Sequence, residues 1–144
     1  VSAADAFGYA ALVETFPREI GGGATAIGAA IFEAMKSLDA NGYFGARQVI
    51  DVSGDGIANE GTSPPFIVRQ AVDRGITVNG LAVANEEPNL ASYYRVGVIG
   101  GPGAFVIGIT DYTDFASAMR RKLLAEIEGN PVSALPHPTA DDRG

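Results

Sequence analysis

Residues 47–56 read Arg-Gln-Val-Ile-Asp-Val-Ser-Gly-Asp-Gly, an apolar run that hands over to Asp51, Ser53 and Asp55 at every second position. Val49, Ile50 and Val52 suit a short buried strand over 47–53. An ionised carboxylate in such a strand must be paired or reach water, because burying it alone is very costly. What Asp51, Ser53 and Asp55 face therefore decides whether this is a plain strand or a strand end that carries chemistry. The polar, glycine-rich continuation Gly54–Pro65, "GDGIANEGTSPP", reads as the loop that follows.

On either side, helical and strand patterns alternate. Before the strand, "GGGATAIGAAIFEAMKSL" places Ile27, Ile31, Met35 and Leu38 on one helical stripe, and Asn41-Gly42 signals a turn after it. An earlier helix is expected over 3–16, with Ser2 as N-cap, Asp5 at capping-box spacing and Pro17 ending it. After the loop, Thr62 or Ser63 caps a third helix, with Pro64 or Pro65 in its first turn and Gly75 at its C-terminus. "ITVNGLAVA" (76–84) and "AFVIGI" (104–109) read as strands, separated by a short helix in "PNLASYYRVG". A last helix follows, with Phe115, Met119, Leu123 and Ile127 spaced as its apolar stripe. Residues 130–144 hold three prolines and no periodicity, and are expected to be a disordered tail.

Alternation of this kind predicts an α/β fold of three layers, Rossmann-like, with parallel strands covered by helices on both faces. Its near-continuous apolar strands agree. Three strands make a thin sheet for this class, so the unit is expected to be incomplete on its N-terminal side, with an open edge that invites pairing between copies.

The bulk numbers narrow the function. At 144 residues, with 47% hydrophobic and 19% charged residues, the chain reads as one globular domain. It has no cysteine, which excludes disulfides and thiolate metal sites. A formal charge of −7 argues against nucleic acid or an anionic membrane as partner, and suits cations or basic surfaces. No apolar run approaches the roughly 20 residues of a membrane span, so membrane insertion is not expected. "GGGATAIG" lacks the Gly-Lys-Ser/Thr of a phosphate-binding P-loop, and the only histidine, His137, lies in the proline-rich tail. Serine–histidine and cysteine–histidine catalysis are therefore unsupported.

In open parallel sheets ligands bind at the carboxyl ends of the strands. Asp55 stands there, as a turn cap or as a ligand to a hard cation. Mg²⁺ accepts few protein oxygens and keeps several waters, so one carboxylate plus hydroxyls suffices. Thr25, between a glycine run and a helix, is either that helix's N-cap or a hydroxyl offered to a cation. Asp51 lies about 13 Å from Asp55 along an extended strand, too far to share an ion. It is expected to be paired inside the sheet or held beside the site. Ser53 shares the site if the chain curls at Gly54. Asn59 and Glu60 either orient a ligand beside Asp55 or form a solvated loop face. Tyr93, Tyr94 and Arg95 fit a recognition rim or the core.

Taken together, "GGGATAIGAAIFEA" and, about thirty residues on, "VSGDG" resemble the second and third segments of a metal-ion-dependent adhesion site in von Willebrand factor type A domains. "VIDVSGDGIANEG", "GITVNGLAV" and "FASAMRRKLLAEI" are similar to the later strands and terminal helix of a bacterial von Willebrand A-like family of unassigned function. The resemblance covers roughly residues 1–128, and the domain is expected to span 1–129. It implies a non-enzymatic protein-binding module in which Thr25 and Asp55 hold Mg²⁺ or Mn²⁺, a protein ligand supplies an acidic group, and Asp51, Ser53 and Asn59 stand nearby. The family's Asp-x-Ser-x-Ser does not occur upstream of Thr25, which implies a partial site and weak metal binding. An alternative resemblance is to haloacid-dehalogenase-type phosphatases, whose Gly-Asp-Gly-x-x-Asp segment binds Mg²⁺. Asn59 occupies its second Asp, and no nucleophile motif accompanies it. A purely structural domain is the third reading.

Overall fold

The computed structural model describes residues 24–43 and 45–128, together with residues 7, 8, 11, 12 and 15, which are helical. The Thr15 hydroxyl donates back to the carbonyls of Ala11 and Leu12, as a helical residue does. The rest of the expected first helix, and the tail 130–144, lie outside the described residues.

Helix α1 spans Ile27–Ala40, β1 Gln48–Gly54, α2 Pro64–Asp73, β2 Ile76–Val83, α3 Leu90–Gly97, β3 Val106–Ile109 and α4 Phe115–Glu128. A single 3₁₀ turn, Tyr112–Asp114, leads into α4. Each expected element within the described residues is present, with ends shifted by up to two residues. The strands form one parallel sheet in the order β1-β2-β3. Both crossovers step the same way across the sheet, so right-handed connections put α2 and α3 on one face. α1 joins them there. The result is an α/β Rossmann-like fold.

Strand alternation sorts the side chains onto the two faces. Ile50, Ile76, Val78 and Ala82 pack under α1, α2 and α3 with Ile27, Ile31, Met35, Ile67, Val68, Leu90 and Tyr94. Leu81, Val83, Ile107 and Ile109 face α4 and its Ala118, with Phe115 and Met119 alongside. β2 is covered on both sides and is buried along its whole length, which is why it reads as a continuous apolar run. Its entry is set by Gly75 at φ +79°, a left-handed residue that ends α2.

Of the stripe expected on α4, Phe115 and Met119 pack against the sheet, and the structure corrects the other half. Leu123 and Ile127 are exposed, at 47% and 82%, while Ala118, Lys122 and Ala125 are buried. The helix is turned so that Lys122 points under the sheet. There its ammonium pairs with Asp51 and with Glu126 at 3.0 Å. Asn79, the register partner of Asp51 on β2, donates to Glu126 at 3.1 Å and accepts the Phe105 amide at 3.1 Å. Arg47 reaches the Glu126 carbonyl at 2.8 Å. A charge network centred on the buried Lys122, together with Phe115, Ala118 and Met119, holds this helix on the sheet. Asp51 is thus paired, though with a helix residue rather than inside the sheet.

Candidate functional site

Three loops meet at the carboxyl end of the sheet: the segment entering α1, the loop after β1 and the turn after β3. Their joining begins with Asn59. Its side-chain oxygen accepts the Thr25 amide at 2.8 Å, and its own amide donates to the Thr25 carbonyl at 3.0 Å. This two-way clamp lays the β1 loop against the start of α1. Gly56 passes so close that a Cβ there would stand 3.3 Å from the Thr25 hydroxyl. From the third side, the Tyr112 hydroxyl donates to a carboxylate oxygen of Asp55 at 2.6 Å. That turn is itself capped by Asp111, which accepts the Thr113 amide at 2.7 Å; these hydrogen bonds hold the Asp111 carboxyl below its usual range. The nearby Asp55 carboxylate pushes the Tyr112 phenol up.

Between the start of α1 and the end of β1 lies a pocket of about 210 Å³ whose walls include Thr25, Ala26, Ser53, Gly54, Asp55 and Tyr94. Thr25 and Asp55 therefore share one cavity at one end of the sheet. Thr25 is not the cap of α1: the N-cap is Ala26, and no side chain caps the helix. Its hydroxyl makes no hydrogen bond among the described residues. Ser53 also lines the cavity, although alternation sets its Cβ on the Asp51 face of β1. Asp51 is elsewhere, in the network under α4. Burial pushes its carboxyl up, against the pull of Lys122. Glu126 is held down: burial would raise it, but hydrogen bonds with Asp51, Lys122 and Asn79 outweigh that. Asn59 is the clamp between two loops, with its side-chain oxygen already engaged.

Two tyrosines complete the site. Tyr112 was not singled out by its sequence context, since an exposed aromatic in a turn carries no pattern. Tyr94 is wholly buried, packed edge-on to Tyr93 at 6.1 Å. It fits beneath β1 and β2 only because both present glycine there. A Cβ at Gly80 would fall 2.8 Å from the ring, and one at Gly54 would fall 2.7 Å from its hydroxyl. Glycine inside a strand pattern marks such a close approach, and that was the available signal. The Tyr93 hydroxyl accepts the Ala58 amide at 3.3 Å, which steadies the loop below Asn59.

A larger opening of about 370 Å³ runs beside β1 and the C-terminal half of α1, past Leu38, Val49 and Asp51. Its polar groups are Ser37, Asn41 and Asp51, the last of them already paired with Lys122. Among the described residues no three His, Cys, Asp or Glu side chains stand close enough to hold a metal. Any ion at the rim would rely on one carboxylate, a hydroxyl and water. Among the described residues no helix is long and apolar enough to cross a membrane.

A family model described as "Protein of unknown function (DUF1194)" matches residues 1–131. No curated protein and no solved structure matches the chain.

Proposed function

The chain belongs to the protein family of unknown function DUF1194, and from that premise we propose that it is a non-enzymatic, von Willebrand A-like protein-binding module with a partial divalent-cation site. Thr25 and Asp55 would hold Mg²⁺ or Mn²⁺ at the rim, and an acidic side chain of a protein ligand would complete the site. The observation that carries this reading is the meeting of Thr25 and Asp55 in one cavity at the carboxyl ends of parallel strands.

The residues fit a small hard cation. Asp55 brings a carboxylate whose second oxygen is not taken by Tyr112, and Thr25 brings a hydroxyl without a partner among the described residues. The cavity of about 210 Å³ has room for several waters at roughly 30 Å³ each. Such an ion would supply the positive charge that a partner's carboxylate needs beside Asp55. The remaining roles belong to the chain itself. Asn59 fixes the spacing of the two loops, and Tyr112 fixes the rotamer of Asp55. One protein carboxylate gives weak retention, in keeping with a site that a ligand completes.

Isothermal titration of Mg²⁺ and Mn²⁺ into wild type, Asp55→Ala and Thr25→Ala tests this. Heats in wild type that vanish in Asp55→Ala and shrink in Thr25→Ala support it; the same heats in all three remove it. Turnover of a generic phosphomonoester that depends on Mg²⁺ and Asp55 would instead favour a phosphatase.

A further inference from the structure

The Tyr94 hydroxyl is buried and has no hydrogen-bond partner among the described residues. Such a group is expensive to keep, since a phenol oxygen removed from water normally finds a partner. Its ring is fixed between the two strand glycines, so the oxygen cannot turn away; it lies under Gly54, and Tyr94 forms part of the wall of the pocket that Thr25 and Asp55 line. Beside it begins the 14-residue helix α1 with no side-chain cap. Its first hydrogen bond runs from the Ala30 amide to the Ala26 carbonyl at 3.0 Å. Among the described residues the amides of Ile27, Gly28 and Ala29 donate to nothing, and helix geometry aims them out of the N-terminus. Ala26 and Ile27 are themselves part of the pocket wall. A phenol hydroxyl and the positive end of a helix thus converge where an acidic ligand would arrive.

We propose that Tyr94 receives the partner's acidic group: its hydroxyl donates to one carboxylate oxygen, beside the open amides of α1, while the other oxygen faces the cation. This rests on the cation reading above, because Asp55 alone would repel an anion in the same cavity. Burial, with Tyr93 and Asp55 close by, pushes the Tyr94 phenol up to about 12, so it stays protonated and a donor at neutral pH.

Tyr94→Phe keeps the ring and removes only the unpartnered oxygen, so the variant should fold as well as wild type. The probe is acetate, titrated into Mg²⁺-loaded protein and followed by the amide resonances of Gly54 and Gly56; Mg²⁺ binding is measured separately by calorimetry. The expected result is unchanged Mg²⁺ affinity and acetate binding weakened roughly tenfold, the loss of one hydrogen bond to a charged group. A wild type that takes Mg²⁺ but binds acetate no better than Tyr94→Phe overturns this inference and leaves the cation site standing. A wild type that takes no Mg²⁺ overturns both.

Discussion

Replacing Lys122 by Met should destabilise the chain by about 2–4 kcal/mol, more than any single loss of an exposed leucine. Its side chain is 1% exposed and its ammonium holds two carboxylates, Asp51 and Glu126, whose side chains are 38% and 14% exposed. Methionine fills the space of the apolar stem, so the change removes the charge and little packing. Breaking a buried pair costs about 3–5 kcal/mol, because the partners are left uncompensated. Water reaches Asp51 from its open side, which relieves part of that penalty and gives the lower range. For a domain of this size the melting temperature should fall by roughly 10 °C. Leu123→Ala is the companion. A core leucine would cost about 2–5 kcal/mol, but at 47% exposure Leu123 should cost under about 1 kcal/mol. Thermal and urea unfolding followed by circular dichroism, with unchanged m values, ranks the two variants. If Leu123→Ala proves the more damaging, the orientation of α4 described here is wrong.

Three further outcomes follow from the same contacts. Gly54→Ala drives a methyl to 2.7 Å from the Tyr94 oxygen, so it should cost about 1–3 kcal/mol, and adding Tyr94→Phe should recover part of it. Strict additivity in that double-mutant cycle, read from urea midpoints, would place the two residues apart. Asn59→Ala loses the 2.8 Å bond to the Thr25 amide, so it should cost about 1 kcal/mol or less and weaken Mg²⁺ binding with both proposed ligands intact; undiminished calorimetric affinity would show that the clamp does not position Thr25. The Asp51 carboxyl is raised above its ordinary 3.8, so its share of stability is full below that value and lost as pH rises through the folded value. Glu126, lowered from 4.5, contributes the opposite way, its share being lost as pH falls through its folded value. In Asp51→Asn the first of these is gone, so the stability difference should move in favour of the variant as pH rises from about 4 to 7. Parallel unfolding curves across that range would contradict the assignment.

Much of the architecture could be read from residue order alone. Alternating patterns, continuous apolar strands and the proline and glycine at the ends of α2 each state a local preference that the tertiary structure keeps. What could not be read was the facing of α4. Apolar spacing pointed to Leu123 and Ile127, because hydrophobicity weighs Lys122 as a surface residue. Only the cross-sheet carboxylates reveal that its long stem is buried and its head paired. The candidate site was legible where two loops carried distinctive residues, Thr25 and Asp55, which line one cavity. The third loop was not, since Tyr112 gains meaning only by its 2.6 Å contact with Asp55. Tyr94 stood undecided between core and rim for a physical reason: its ring is wholly in the core, yet the residue also forms part of the pocket wall.

If an ion sits between Thr25 and Asp55, Mn²⁺ can report its own position there. In a titration of Mn²⁺ into ¹⁵N-labelled protein, paramagnetic broadening should erase the amide signals of Thr25, Gly54 and Gly56 first and leave Ile76 and Thr77, at the far end of the sheet, sharp. Asp55→Ala should abolish that pattern. Broadening spread evenly over the acidic surface, or centred on the network under α4, would contradict it.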